Sequence, residues 1–187
     1  MAEQLPTSSQ PVPSAVGPRG RLAVSPDALF AYGTLQFPGI LSALLRRVPE
    51  HAPGTVTGWR VAALAARTYP GIVPACQATA TGILVTGLTP GEWRLIDAYE
   101  DDSYELRQLT LTDGRPGWTY AWVNYREVAR HDWSAPDFAA RHLADFTQRC
   151  RAWRERYEAA GQPGDGHPER ARLPRAYRGH RDDQQQF

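Results

Sequence analysis

Lysine is absent from this 187-residue chain, and all 21 basic residues are arginine. The bias reads as GC-rich codon usage, yet it has chemical consequences. Lysine Schiff-base catalysis is excluded, as is a phosphate-cradling GxxxxGK(S/T) loop. Cysteine is scarce. Cys76 and Cys150 form no CxxC pair and have no second ligand cluster, which argues against a disulfide framework and a structural zinc site. There is no GxSxG, and neither cysteine has an obvious histidine partner in sequence, so no protein nucleophile is visible. No apolar run approaches the ~20 residues needed to span a bilayer. The formal net charge of +1 gives no reason to expect nucleic acid or an anionic membrane as partner. Met1 to Pro6 carries neither a basic n-region nor an apolar h-region, so no secretory signal is expected and a soluble, cytoplasmic protein is the default.

Hydrophobic content of 42% and charged content of 22% suit one globular domain with room for flexible ends. Residues 1–26 hold Pro6, Pro11, Pro13, Pro18 and Pro26 among serines and glycines. Such a stretch cannot bury enough apolar surface to offset ordering entropy, and a disordered N-terminal arm is expected. Residues 161–187 are rich in Gly, Pro, Arg and Asp, with basic and acidic residues interleaved, and read as a solvated, disordered tail. The domain is therefore residues 27–160.

Within it, Ala28–Tyr32 reads as a buried strand stopped by Gly33. Pro38–Arg47 reads as a short helix with proline in its first turn and arginines at its C-terminal end. A strand over Gly54–Ala63, a proline-punctuated loop over Thr68–Pro74 and a strand over Ala78–Val85 follow. Thr89-Pro90-Gly91-Glu92 is a capping box that starts a helix running to Tyr99 or Glu100. Strands are expected at Tyr104–Thr112 and Gly117–Tyr125. A long helix from Pro136 to Tyr157, capped by Ser134, carries Leu143, Phe146, Cys150, Trp153 and Tyr157 as one apolar stripe. Strands in neighbouring pairs predict an α+β fold: a small mixed, largely antiparallel sheet or barrel with helices packed outside.

Two stretches carry the chemistry. On a wheel of about 100° per residue, Glu100 falls between Trp93 and Ile96, whereas Asp97 and Asp101 turn toward solvent. An inward carboxyl is disfavoured as the anion and suits a general acid-base. Alternatively, the helix ends earlier and Glu100 joins a solvated acidic loop with Asp101 and Asp102. In Tyr32-Gly33-Thr34-Leu35, Gly33 permits close backbone approach, so the N–H groups of residues 33–35 are candidates to hold a carboxylate. The bland reading of the same stretch is an ordinary turn. Tyr104, Trp118, Tyr120, Trp122 and Tyr125 are candidates to line a pocket, although the period-2 spacing of Trp118, Tyr120 and Trp122 suits core packing equally well. His131 and His142 have no ligand partner at metal spacing and read as surface or capping residues.

Together these stretches resemble the gamma-glutamylcyclotransferase-like (AIG2-like) proteins. Tyr32-Gly33-Thr34-Leu35 matches their YGTL or YGSL signature. The Tyr69–Pro74 loop, Gly82-Ile83-Leu84, Leu95–Glu100 and Tyr104 follow in the family's order and spacing. The resemblance implies a small barrel around a cavity, a YGTL backbone gripping a gamma-glutamyl group, and Glu100 as the catalytic residue. It also implies conversion of a gamma-glutamyl amine or amino acid to 5-oxoproline and free amine without a cofactor. Asp101 stands where a glycine often follows the glutamate, and Leu106 where a basic residue is common. The residues suit this chemistry: ring closure uses the substrate's own amine as nucleophile, so one carboxyl serves as base and then acid. A related enzyme acting on a different amide, or a non-catalytic module binding a small acid or a protein, remain the alternatives. The leaving amine and the oligomeric state are not legible.

Overall fold

The computed structural model describes residues 26–100 and 102–161. The expected arm and tail lie outside the described residues, apart from Pro26 and Gly161. Six strands and four helices follow in the order β1 (Ala28–Ala31), α1 (Pro38–Leu45), β2 (His51–Leu64), β3 (Gly71–Thr86), α2 (Pro90–Tyr99), β4 (Tyr104–Thr110), β5 (Pro116–Trp122), β6 (Val128–Asp132), α3 (Ala135–Arg141) and α4 (Leu143–Ala159). The strands form one curled sheet ordered β4-β5-β1-β3-β2-β6. Pairing is antiparallel except that β5 runs parallel to β1 and to β3. This is the expected α+β half-barrel with helices outside.

β1 organises the sheet. All four of its residues are buried, because both faces are covered. Leu29 and Ala31 join a core shared with α1, α2 and α4, including Leu41, Leu44, Trp93, Ile96 and Phe146. Ala28, Phe30 and Tyr32 join a second core with Val56, Ile72, Ala80, Leu84 and Leu111. A strand buried on both sides reads as a continuous apolar run, and Ala-Leu-Phe-Ala-Tyr is one.

Several expected boundaries move. The Thr68–Pro74 loop and the strand after it are instead one 16-residue β3 that starts at Gly71. Pairing with β2 over its length carries Ile72 and Val73 into the sheet despite the prolines. β6, not anticipated, pairs with β2 at Ala62↔Asp132 and Leu64↔Val128. α1 ends at Leu45, and Arg46 adopts a left-handed backbone with φ 59°. Its last carbonyls are met from another helix, where Arg154 donates to Leu44 O at 2.6 Å. Arg46 and Arg47 bind Glu158 and Glu92 instead. The long C-terminal helix is two, broken where His142 leaves helical geometry at φ −129°. The Ser134 cap is present, and the stripe buries Phe146, Cys150 and Trp153 as its period requires.

Candidate active site

The capping box forms as read: Thr89 N–H donates to Glu92, and Glu92 N–H donates to the Thr89 hydroxyl at 3.2 Å. Arg47 adds two bonds to the Glu92 carboxylate, at 2.6 and 2.7 Å. Arg47 first, then the Thr89 cap, hold the Glu92 pKa down at about 2 against burial. α2 is thereby pinned at its start.

Its end departs from the helical-wheel reading. Glu100 closes the helix through its N–H to Ile96 O at 3.0 Å, but its own backbone is extended, φ −70° and ψ 144°. The residue is the C-cap, so helical phase does not direct its side chain. It is nevertheless half-buried, and its carboxylate lies close enough to oppose ionisation of Tyr32, Tyr99 and Cys150. The wheel also misplaces Asp97, which is half-buried and accepts from the Tyr120 hydroxyl at 3.2 Å. Asp102 is exposed and Asp101 lies outside the described residues.

The turn after β1 follows Tyr32, whose hydroxyl feels the Glu100 charge. The Tyr32 hydroxyl donates to Tyr120 O at 2.8 Å, with the Ile72 amide and the Tyr104 hydroxyl also beside it. Burial first, then the Glu100 charge, push the phenol far above its ordinary range. Tyr104 is buried, donates to Pro70 O at 2.5 Å, and packs edge-on against Trp122 at 4.9 Å. Gly33 sits on the same loop. A Cβ there would lie 2.9 Å from Pro70 Cγ, so the glycine serves at least the protein's own close approach. Thr34–Gln36 is a single 3-10 turn whose first bond runs from Gln36 N to Gly33 O. The amides of Thr34 and Leu35 therefore have no acceptor inside the turn. Both residues are buried as whole residues.

Sequence reasoning missed Gln36. Its side-chain amide donates to Tyr32 O at 2.7 Å and to Gly33 O at 3.0 Å, clamping the turn. A glutamine just after a glycine turn is a usable signal for such a clamp, since short amides commonly bond to nearby backbone. Of the pocket candidates, Tyr120 and Trp122 are buried in the core and Trp118 packs against it, while Tyr125 is 58% exposed. His131 is exposed in β6 and His142 is exposed at the joint of α3 and α4. Among the described residues, no group of three His, Cys, Asp or Glu residues is placed to hold a metal ion. No helix there is long and apolar enough to cross a membrane.

Comparison with known proteins gives a consistent picture. The family model described as gamma-glutamyl cyclotransferase, AIG2-like, matches residues 29–135. AIG2-like protein C of Arabidopsis thaliana is 31% identical over 124 residues, covering 63% of this chain and 72% of its own length. AIG2-like protein D of the same plant is 27% identical over 139 residues, covering 71% and 91% respectively. A solution structure of an Arabidopsis thaliana protein aligns with a TM-score of 0.52 at 23% identity over 79% of this chain and 92% of its own, a likeness of fold.

Proposed function

The chain belongs to the gamma-glutamyl cyclotransferase, AIG2-like family, and we propose that it converts a gamma-glutamyl amine or amino acid to 5-oxoproline and the free amine, with Glu100 moving the protons. The observation that supports this reading is that the half-buried Glu100 carboxylate acts electrostatically on the buried Tyr32 hydroxyl, one residue before the Gly33 turn.

The arrangement suits the chemistry step by step. The Tyr32 hydroxyl donates to Tyr120 O and the Tyr104 hydroxyl to Pro70 O, and the two hydroxyls also bond each other. These phenol oxygens and the Glu100 carboxylate make a surrounding suited to the substrate's alpha-ammonium. The amides of Thr34 and Leu35 are donors suited to its alpha-carboxylate. Glu100 accepts a proton from the ammonium, and the freed amine attacks the gamma-carbonyl carbon. The ring C–N bond forms, Glu100 gives its proton to the leaving nitrogen as the bond to that nitrogen breaks, and the regenerated carboxylate takes the ring nitrogen's surplus proton and passes it to the released amine, which departs as its ammonium. Such proton transfer contributes about 10² to 10⁴ in rate, and holding the glutamyl chain folded for ring closure supplies more by proximity.

The test is release of 5-oxoproline from a panel of gamma-glutamyl amines, gamma-glutamyl amino acids and glutathione. Wild type turns over at least one member, and Glu100→Gln keeps its melting temperature while losing at least ~100-fold in kcat. Equal turnover by both proteins defeats the reading. So does an inert wild type across the whole panel.

A further inference from the structure

α4 lies wholly beyond residues 29–135, the family match. It still reaches the residue next to Glu100. The Tyr99 hydroxyl and the Cys150 thiol of α4 are 3.3 Å apart. The Tyr99 ring stands edge-on to Trp153 at 5.0 Å and 79°, and Trp153 stacks on Tyr157 at 5.1 Å. Cys150 is only 2% exposed, so its place is not that of a reactive surface thiol.

We propose that Tyr99 and Cys150 form a positioning pair that ties the backbone carrying the proton-transfer carboxyl of Glu100 to α4. This rests on the catalytic reading of Glu100 only for its consequence in turnover; the geometry stands without it. Tyr99 and Glu100 are consecutive, and Glu100 N bonds to Ile96 O. Fixing the Tyr99 ring therefore fixes the backbone from which the carboxyl projects. Burial keeps both partners neutral: it raises the Tyr99 phenol well above its usual range and the Cys150 thiol to about 11. The other groups around this region are the Tyr32 phenol at the end of β1, with Tyr104 beside it, and Arg149 of α4, which acts on both Tyr99 and Cys150. Asp97 is engaged by Tyr120.

The experiment is a direct titration of the Glu100 carboxyl carbon by NMR in full-length protein, with the resonance assigned by its loss in Glu100→Gln. Wild type, Tyr99→Phe, Cys150→Ala and Cys150→Ser are compared. Breaking the tie in Tyr99→Phe and Cys150→Ala lets the carboxyl leave its place and moves the midpoint by at least about 0.5 pH unit, roughly a threefold change in proton affinity. Cys150→Ser, which keeps a polar hydrogen and lone pairs, stays within about 0.2 unit of wild type. Midpoints that do not move in Tyr99→Phe and Cys150→Ala overturn the proposal. So does a serine variant that shifts as far as the alanine one, which would mean packing alone. If Tyr99→Phe fails to fold, the two Cys150 variants decide. No substrate turnover enters this readout, so its failure is distinct from failure of the Glu100→Gln activity test.

Discussion

Gly82 is where β3 crosses the end of β1, and replacing it with alanine strikes the fold and the site together. A Cβ at position 82 would lie 2.4 Å from the Ala31 carbonyl oxygen and 2.9 Å from Tyr32 Cα. Real Cβ atoms essentially never approach within 3.0 Å, and both obstacles are backbone atoms that cannot rotate away. Position 54 contrasts with this, because the nearest obstacle there is the Leu111 Cδ2 methyl at 2.7 Å, the end of a flexible side chain. Forcing strands apart costs about 1–3 kcal/mol in the manner of an overpacked core. The lower chain entropy of unfolded alanine returns about 0.4–1 kcal/mol. The net loss of about 1–2 kcal/mol corresponds to roughly 4–8 °C in melting temperature for a domain of this size. Thermal unfolding followed by circular dichroism reads it, with Gly91→Ala as control. A Cβ at position 91 meets nothing closer than 3.9 Å, so that variant melts at or above the wild-type temperature. Because the displaced atoms include Tyr32 Cα, 5-oxoproline release by Gly82→Ala falls further than the unfolded fraction accounts for. A Gly82→Ala protein that melts with wild type refutes the close-approach reasoning.

Tyr32→Phe removes the hydrogen bonds to Tyr120 O and to the Ile72 amide; losing the two costs about 1–3 kcal/mol together, measurable as a lower urea midpoint at unchanged slope. Glu92→Gln removes a carboxylate held near pKa 2, against an ordinary 4.5, by Arg47 and the Thr89 cap. A depressed carboxylate stabilises above its unfolded pKa and loses that contribution as pH falls from 4.5 toward 2, so wild type and variant converge in stability over that window. At the alkaline end the sign reverses. Tyr99 and Cys150 have raised values, so their contribution is complete below pH 9 and lost as pH climbs past the ordinary 9.0 and 10.0, and Tyr99→Phe shows a shallower alkaline decline in melting temperature. Gln36→Leu frees the carbonyls of Tyr32 and Gly33, and the loosened turn raises KM for a gamma-glutamyl substrate more than it lowers kcat.

What was legible in the chain followed from local chemistry. Thr89, Pro90 and Glu92 announce a helix start because each satisfies a terminal amide or dispenses with one, and no tertiary contact is needed to complete the box. The double burial of β1 shows as an unbroken apolar run, and the α4 stripe shows as a period. The first part of β3 hid because Pro70 and Pro74 look like loop punctuation, while its Ala78–Val85 stretch was expected; only pairing with β2, a non-local event, draws Ile72 and Val73 into the sheet. β6 hid for a related reason. Its Val-Ala-Arg-His-Asp is mostly exposed and has little apolar alternation, so its strand character comes from β2 rather than from itself.

The candidate site was read from helical phase, and the structure removes that premise. Helical phase pointed to Glu100 among its acidic neighbours, yet Glu100 is the C-cap with extended backbone, and phase stops at Tyr99. What turns this residue toward the protein is where α2 ends: its start is anchored by Arg47 and Thr89, and its last side chain is gripped by Cys150 and Trp153. With both ends held, the residue after Tyr99 emerges beside Tyr32, whatever its own helical preference. That makes the register of α2 the controlling variable. An inserted alanine in the middle of α2 would turn Tyr99 by about 100° away from Cys150 while leaving the capping box whole. The expected result is a folded protein, with helical content kept, in which Glu100→Gln no longer changes turnover because Glu100 has already left the site. An insertion variant that keeps wild-type kcat would show that the ends of α2 do not set the position of Glu100.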